Sequence, residues 1–356
     1  MARIRLRDFR NYSRLDAAFS PGFHVVLGNN AQGKTNLLEA VYLMATLRSF
    51  RGVGSAQMIR HGATGYFVGG KVIGPTEHEI RMHWAPGARK LTLDNQPVRK
   101  LTEYYGALRA VVFCTEDLQL VKGTSRFRRR FLDLLLAQTH APYLGLLQRY
   151  AKALRARNAL LKRHPADELA LDSFSHELVA AGRALIQLRQ ALLPEIAPLV
   201  CQAYGRIAQG ADSVRLECLP AIKQDLGVEL AQSRARERTL RTTVIGPYRD
   251  DLALLLNDRP AAQFGSEGQK RTLAIALKMA QAEFFASRHG APPILLLDDV
   301  MGELDARRRA GLLPLLERAH HAQGQVFMTC TEENWPQELG RDLHRWQVEG
   351  GKLKAA

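Results

Sequence analysis

Gly28-Asn29-Asn30-Ala31-Gln32-Gly33-Lys34-Thr35 follows the pattern of a glycine, four variable residues, a glycine, a lysine and a hydroxyl residue. This spacing reads as a phosphate-binding loop. The apolar run Phe23-His24-Val25-Val26-Leu27 in front of it predicts a buried strand, and Leu37, Leu38, Val41 and Tyr42 behind it recur at helical spacing. Gly28 and Gly33 permit backbone angles that a Cβ opposes. The N–H groups of Asn29, Asn30, Ala31, Gln32 and Gly33 can therefore converge on phosphate oxygens at the positive end of a helix. Lys34 supplies a point charge for the β- and γ-phosphates, and Thr35 a hydroxyl where Mg²⁺ would sit. The plainer alternative is a glycine turn beside a surface lysine, and the flanking strand and helix argue against it.

The chain has 356 residues, more than one typical domain, which predicts two structural units or one domain carrying a large insertion. An apolar fraction of 46% and a mean hydropathy of -0.20 are those of a soluble globular protein. No uninterrupted apolar run reaches bilayer length, and the basic, alternating start Met1-Ala2-Arg3-Ile4-Arg5-Leu6-Arg7 reads as a strand rather than a signal peptide. Cys114, Cys201, Cys218 and Cys330 lack the paired spacing of a zinc site or a disulfide framework, so a cytoplasmic setting without a membrane partner is expected. The formal charge of +15 predicts attraction to polyanions, nucleic acid first. A generally arginine-rich composition would give the same number.

Along the chain, Arg3 to Leu6 alternates as a half-buried strand, and Phe9-Arg10-Asn11-Tyr12 reads as a turn. Three strands at Tyr66 to Val72, His78 to Trp84 and Arg89 to Leu93 predict an antiparallel meander, with Val111-Val112-Phe113 a further buried strand. From Arg126 to Arg163 arginine and lysine recur among leucines, with Asp133 almost the only acid. These are amphipathic helices with a basic face, and Arg149, Lys152, Arg155, Lys162 and Arg163 are the candidate DNA contacts. A helix pair is expected from Ala166 to Leu193 and Ile196 to Ala208, broken at Pro194 and Pro198, with later strands at Val214 to Cys218 and Thr242 to Ile245. The predicted organisation is a head segment over 1–116, a helical insertion over 117–234, and a second head segment over 235–356.

Ile294-Leu295-Leu296-Leu297-Asp298-Asp299 predicts a central strand whose end presents carboxylates, the second half of a Mg-nucleotide site. Gly265-Ser266-Glu267-Gly268-Gln269 stands just upstream of it, opening a helix. The order phosphate loop, long interruption, Ser-x-Gly-Gln, acidic strand marks an ABC-type ATPase, in which Ser266, Gly268 and Gln269 would cap the γ-phosphate held by a second subunit. By itself that stretch is also a plain helix cap, with Ser266 at N-cap and Gln269 at N3. Asp298 would hold Mg²⁺ with Thr35, Asp299 would orient the attacking water, and Asp305 would lie in a loop crossing the interface of the pair. Lys34, Asp298 and Asp299 are thus the candidate catalytic set.

With Phe9-Arg10-Asn11-Tyr12, Gly28 to Ala40, Ser49-Phe50-Arg51, Arg129 to Asp133, Gly246-Pro247-Tyr248-Arg249, Ser266 to Lys270 and Leu297 to Asp305, the chain resembles the RecF family of bacterial recombination mediators from end to end. The resemblance implies an α/β fold, an ABC-type ATPase head (a P-loop NTPase) related to SMC heads, with an inserted helical domain in place of a long coiled coil. It also implies slow ATP hydrolysis with Mg²⁺, an ATP-dependent homodimer, and binding to gapped DNA or a single-strand/double-strand junction. RecR and RecO are the implied partners, in loading RecA during postreplication repair and the SOS response. Asp299 stands where transporter heads carry glutamate, and its shorter reach fits slow hydrolysis. The competing reading is the nucleotide-binding subunit of an ABC transporter.

Overall fold

A computed structural model describes residues 1–74, 76–163, 167–208, 210, 212–331 and 343–356. The chain forms two compact units, one of Met1–Leu118, Gln202–Gly210 and Arg271–Ala356, the other of Gln119–Cys201 and Ala211–Lys270.

The first unit is built on two six-stranded sheets. One runs in the order Lys352–Ala355, Leu343–Glu349, Gly22–Leu27, Gln325–Cys330, Ile294–Asp298, Ala110–Phe113, parallel throughout except for the antiparallel edge strand Lys352–Ala355. A parallel sheet is covered on both faces, which is why its strands read as unbroken apolar runs rather than alternation. Val25, Val26, Leu295, Leu296, Leu297, Val326, Phe327 and Met328 are all fully buried, and the helix Lys34–Thr46 is buried along almost its whole length.

The other sheet is antiparallel, in the order Tyr12–Ala18, Arg3–Phe9, Tyr66–Ile73, Glu77–Ala85, Ala88–Leu93, Gln96–Pro97. Here the period of two is plain: Ile4, Leu6, Val68, Ile80, Met82 and Leu91 are buried, while Arg5, Arg7, Arg81, His83 and Lys90 lie on the opposite face. The turn at Asp94-Asn95 has positive φ at both residues (52° and 64°), the backbone of a tight hairpin whose twist suits its strands.

The second unit carries the helices Ser125–Thr139 and Ala141–Leu161, most of Glu168–Ala208, and Leu226–Gln232 and Arg234–Leu240, with a three-stranded antiparallel sheet of Arg259–Pro260, Asp251–Leu256 and Val214–Leu219. It runs on to Lys270, past the expected end at 234, because Asp251–Leu256 pairs along its whole length with Val214–Leu219.

Two expected elements differ. Glu168–Ala208 is one helix of 41 residues containing both Pro194 and Pro198. Each proline leaves a carbonyl four residues back without a donor. Those carbonyls belong to Gln190 and Pro194, both at exposed positions open to solvent, while Leu185, Leu192, Ile196, Val200, Ala203 and Ile207 keep one buried stripe through the region. Ala166, where that helix was expected to start, lies outside the described residues. By length and composition this helix alone qualifies as a membrane span among the described residues. Its Arg189, however, is buried against Asp133 and Asp250, the behaviour of a core helix.

Thr242 to Ile245 is not a strand. Its backbone is satisfied by side chains instead: Thr243 N–H donates to Asn158 Oδ1 (2.8 Å) and Val244 N–H to Glu237 Oε1 (3.0 Å). Donors occupied in this way are not available to a ladder.

Candidate nucleotide site

The strand Gly22–Leu27 ends at Gly28 (φ 152°), and the chain reverses through Ala31 (φ 64°) and Gly33 (φ 120°) before the helix starts at Lys34. No side chain caps that helix at Gly33, which leaves its first-turn N–H groups for a ligand. Asn29, Asn30 and Ala31 form the exposed crown of the loop.

The base of the loop is held from two directions. Asn11 Nδ2 donates to Gln32 O (2.7 Å), Asn36 Nδ2 donates to Asn11 Oδ1 (2.8 Å), and the Tyr12 hydroxyl donates to Gly33 O (3.0 Å). From the other side, the turn joining the last two strands gives Gly350 N–H to Gln32 Oε1 (2.6 Å) and Gly351 N–H to Gln32 O (3.1 Å). Gln32 is therefore a strut whose side chain serves the loop itself. Just behind, Arg10 forms a bidentate pair with buried Glu39 (2.7 and 2.8 Å), which also accepts from the Ser49 hydroxyl. Arg10, Asn11 and Ser49 thus act as braces for the loop and its helix.

Lys34 is buried and folds back across the loop, its Nζ donating to Gly28 O (2.5 Å) and Asn29 O (3.1 Å). Burial pushes its pKa down, opposed by the nearby Asp299 and Asp298 charges. Thr35 Oγ1 donates to Asp298 Oδ1 at 2.8 Å. The two oxygens that the sequence assigns to Mg²⁺ are thus adjacent, although 263 residues separate them. Burial raises the Asp298 pKa, with Glu116 and Asp299 adding repulsion and the Thr35 and Thr329 hydroxyls opposing it.

Thr329 is a site residue that sequence reasoning missed. It lies on Gln325–Cys330, between the phosphate-loop strand and the acidic strand. Its Oγ1 donates to Asp298 Oδ1 (2.9 Å) and accepts from Asp299 N–H (2.9 Å), fixing the turn where Asp299 sits exposed at φ 56°. The only signal was a threonine directly after the buried run Val326-Phe327-Met328. Cys330, the next residue, is raised to about 11 by burial and by Asp299, with Lys34 opposing. Glu116 was missed as well.

Ser266, Gly268 and Gln269 belong to the other unit. There they form a complete capping box: Ser266 N–H donates to Gln269 Oε1 (2.8 Å), and Gln269 N–H donates to Ser266 Oγ (3.2 Å). Gln269 Nε2 also donates to Asp212 Oδ2 (3.0 Å). Asp305 caps the helix Ala306–His321, accepting from Arg308 N–H (2.8 Å), with its carboxylate exposed.

On Ala141–Leu161 and the two residues that follow, Arg149, Lys152, Arg155, Lys162 and Arg163 are all exposed. Arg149 is neutralised by Glu177 (2.7 Å), whereas Lys152, Arg155, Lys162 and Arg163 have no carboxylate partner among the described residues. The rest of this arginine-rich stretch is less basic than its sequence reads. Arg128 pairs with Asp251 (2.7 Å) and Arg157 with Glu237 (2.5 Å). Acids distant in sequence neutralise it.

The family model for the RecF/RecN/SMC N-terminal domain matches residues 1–349. A DNA replication and repair protein RecF from Anaeromyxobacter sp. is 38% identical, the match covering 98% of this chain and 97% of that protein. One from Lacticaseibacillus casei is 36% identical over 99% and 98%. A solved structure of the recombination mediator RecF with ATP, of the RecFOR pathway, superimposes with a TM-score of 0.91 at 27% identity, covering 100% of this chain and 97% of that one. An Smc head domain from Pyrococcus furiosus shares the fold at 16% identity and a TM-score of 0.58, covering 99% of this chain and 95% of that one. An ABC-type α/β head with its phosphate loop and acidic strand in place, matched over nearly its whole length, belongs to the RecF family of DNA replication and repair proteins.

Proposed function

We propose that this chain binds ATP with Mg²⁺ and uses it as a switch for pairing with a second copy on DNA, hydrolysing it slowly. The observation that carries the reading is the contact of Thr35 Oγ1 with Asp298 Oδ1 at the mouth of a glycine loop. Two hard oxygen donors beside a lysine and uncapped helix N–H groups suit a Mg-nucleotide. Thr35 and Asp298 would hold the metal, which would supply positive charge against the phosphates. Lys34 exchanges the Gly28 and Asn29 carbonyls for phosphate oxygens. Asp299, exposed and held by Thr329, orients the water.

In the pair, Ser266, Gly268 and Gln269 face the γ-phosphate of the other copy, and Asp305 lines the interface. The protein acts in the cytoplasm with RecR and RecO to load RecA at gaps in postreplication repair and the SOS response. Molecular mass in solution with no nucleotide, ADP or ATP, with and without gapped DNA, tests the switch. An ATP-specific dimer that holds DNA supports it, and a monomer under every condition refutes it.

Asp299→Asn should keep ATP-dependent pairing and DNA binding while turnover falls at least about a hundredfold, the scale of a lost general base. Wild-type hydrolysis in that variant would remove Asp299 from the role. For the DNA face, Arg155→Ala and Lys162→Ala should together flatten the slope of log affinity against log salt by close to 2, since each phosphate contact on duplex contributes about 0.9. An unchanged slope places the contact elsewhere.

A further inference from the structure

The outer face of the antiparallel sheet carries a feature that nucleotide chemistry does not use. Arg14, Arg7, Phe67, His83 and Lys90 are successive partners across five strands, one row on one face. At the ordinary strand spacing of about 4.8 Å the row spans about 19 Å. Beside it, Arg5 and Arg81 share Glu79. An open depression of about 790 Å³ is lined by four cationic side chains of this face, Arg5, Arg7, Arg81 and Lys90, against one carboxylate, Asp8. Arg14 and Lys90 have no ion-pair partner among the described residues, and Arg7 has only a long contact with Asp8 (3.7 Å), so the charge of this row is open to a ligand.

The middle of the row is aromatic, with the Phe67 and His83 rings tilted 46° to each other. Phe67 and His83 lie with ring centroids 4.6 Å apart. Next to them is Gly69, where an added Cβ would stand 2.6 Å from Phe67 Cζ. Glycine there lets the Phe67 ring lie over the backbone at Gly69. Burial, Lys90 and Arg81 all lower the His83 pKa, so the imidazole is a neutral ring at neutral pH.

We propose that this sheet face binds single-stranded nucleic acid, with Phe67 and His83 stacking on bases and Arg7, Arg14 and Lys90 holding phosphates. Aromatic rings on a sheet meet unpaired bases through their π-faces, and flanking cations follow the backbone. A duplex hides those base faces, and an acidic peptide has none. At the roughly 3.4 Å spacing of stacked nucleotides, the row accommodates about five or six. The surface belongs to the first unit and stands independently of the basic helix Ala141–Leu161.

The test is fluorescence anisotropy on the full chain without nucleotide, comparing 12-nucleotide oligothymidine with a 12-base-pair duplex across a salt series. Phe67→Ala should weaken oligothymidine binding between about fivefold and a hundredfold with an unchanged salt slope and unchanged duplex binding. Phe67→Trp should retain wild-type affinity, whereas Phe67→Leu, which still covers Gly69 but has no π-face, should bind like Phe67→Ala. Arg7→Ala and Lys90→Ala should each lower the slope by about 0.7. The proposal is overturned if Phe67→Ala binds oligothymidine like wild type, if it loses duplex equally, if Phe67→Leu matches wild type, or if a 12-residue polyglutamate peptide competes for the site. Arg155→Ala with Lys162→Ala should leave oligothymidine affinity on this face intact, so failure here and failure at the helix are distinguishable.

Discussion

Gly28→Ala is expected to abolish nucleotide binding, lowering ATP affinity at least about a hundredfold as read by calorimetry. The residue adopts φ 152°, and an added Cβ would stand 2.4 Å from Val348 O. That oxygen is main chain in Leu343–Glu349, a strand hydrogen-bonded in parallel to Gly22–Leu27, so it cannot turn aside as a side chain would. The loop must move instead. Its carbonyls seat the Lys34 amine, and a displacement of about 1 Å at a positioning group is enough for a hundredfold loss. Asn30→Ala, on the exposed crown, is the matched control and should change affinity less than about threefold, within the ordinary range of surface substitutions. Wild-type ATP affinity in Gly28→Ala would show that the loop does not need the geometry described here.

Glu237→Ala should cost about 3–5 kcal/mol, the scale for removing one partner of a buried ion pair. Arg157 and Glu237 are both fully buried. The guanidinium donates to Glu237 Oε2 (2.5 Å), Ser175 Oγ (2.9 Å) and Thr243 Oγ1 (2.8 Å), and Glu237 also accepts from Val244 N–H (3.0 Å). Alanine leaves a buried cation with two hydroxyls for company and an orphaned N–H. Thermal unfolding should fall by roughly 4–7 °C. The double variant Arg157→Met with Glu237→Leu removes both charges together and should recover most of that loss. A double variant less stable than Glu237→Ala would mean that the pair contributes net stability of its own.

Those two sites mark where the sequence was and was not legible. The phosphate loop is local: a glycine spacing, a strand before and a helix after carry its reading, and Thr35 with Asp298 forms the contact that two separate motifs implied. Arg157 could not be read that way. In sequence it belongs to a basic run, and its partner Glu237 is 80 residues downstream. Arginines that look like a DNA face are therefore divided between internal ion pairs and open charge by acids that the local pattern does not contain.

The unbroken helix through Pro194 and Pro198 is the same lesson in backbone terms, since proline ends a helix only if nothing else satisfies the carbonyls it strands. Thr242 to Ile245 has strand composition, but Asn158 and Glu237 take its donors. Leu343–Glu349 was missed because its exposed His344 and Arg345 break the apolar run expected of a parallel strand near the edge of the sheet. Thr329 and Gly350 are likewise invisible, and Asn11 has no assigned role, without the register that places them beside the acids and the loop.

The strand order of the parallel sheet has a consequence for how the chain is made. Gly22–Leu27 is flanked only by Gln325–Cys330 and Leu343–Glu349, both at the far end of the sequence. A ribosome adding about 5–20 residues per second needs between about 15 and 60 seconds to travel from Leu27 to Gln325. For that interval an almost wholly apolar strand has no partner on either edge. The antiparallel sheet, whose strands all fall between Arg3 and Pro97, can close long before. The nucleotide pocket is therefore the last part of the head to come into existence, and the nascent chain must shelter Gly22–Leu27 until it does.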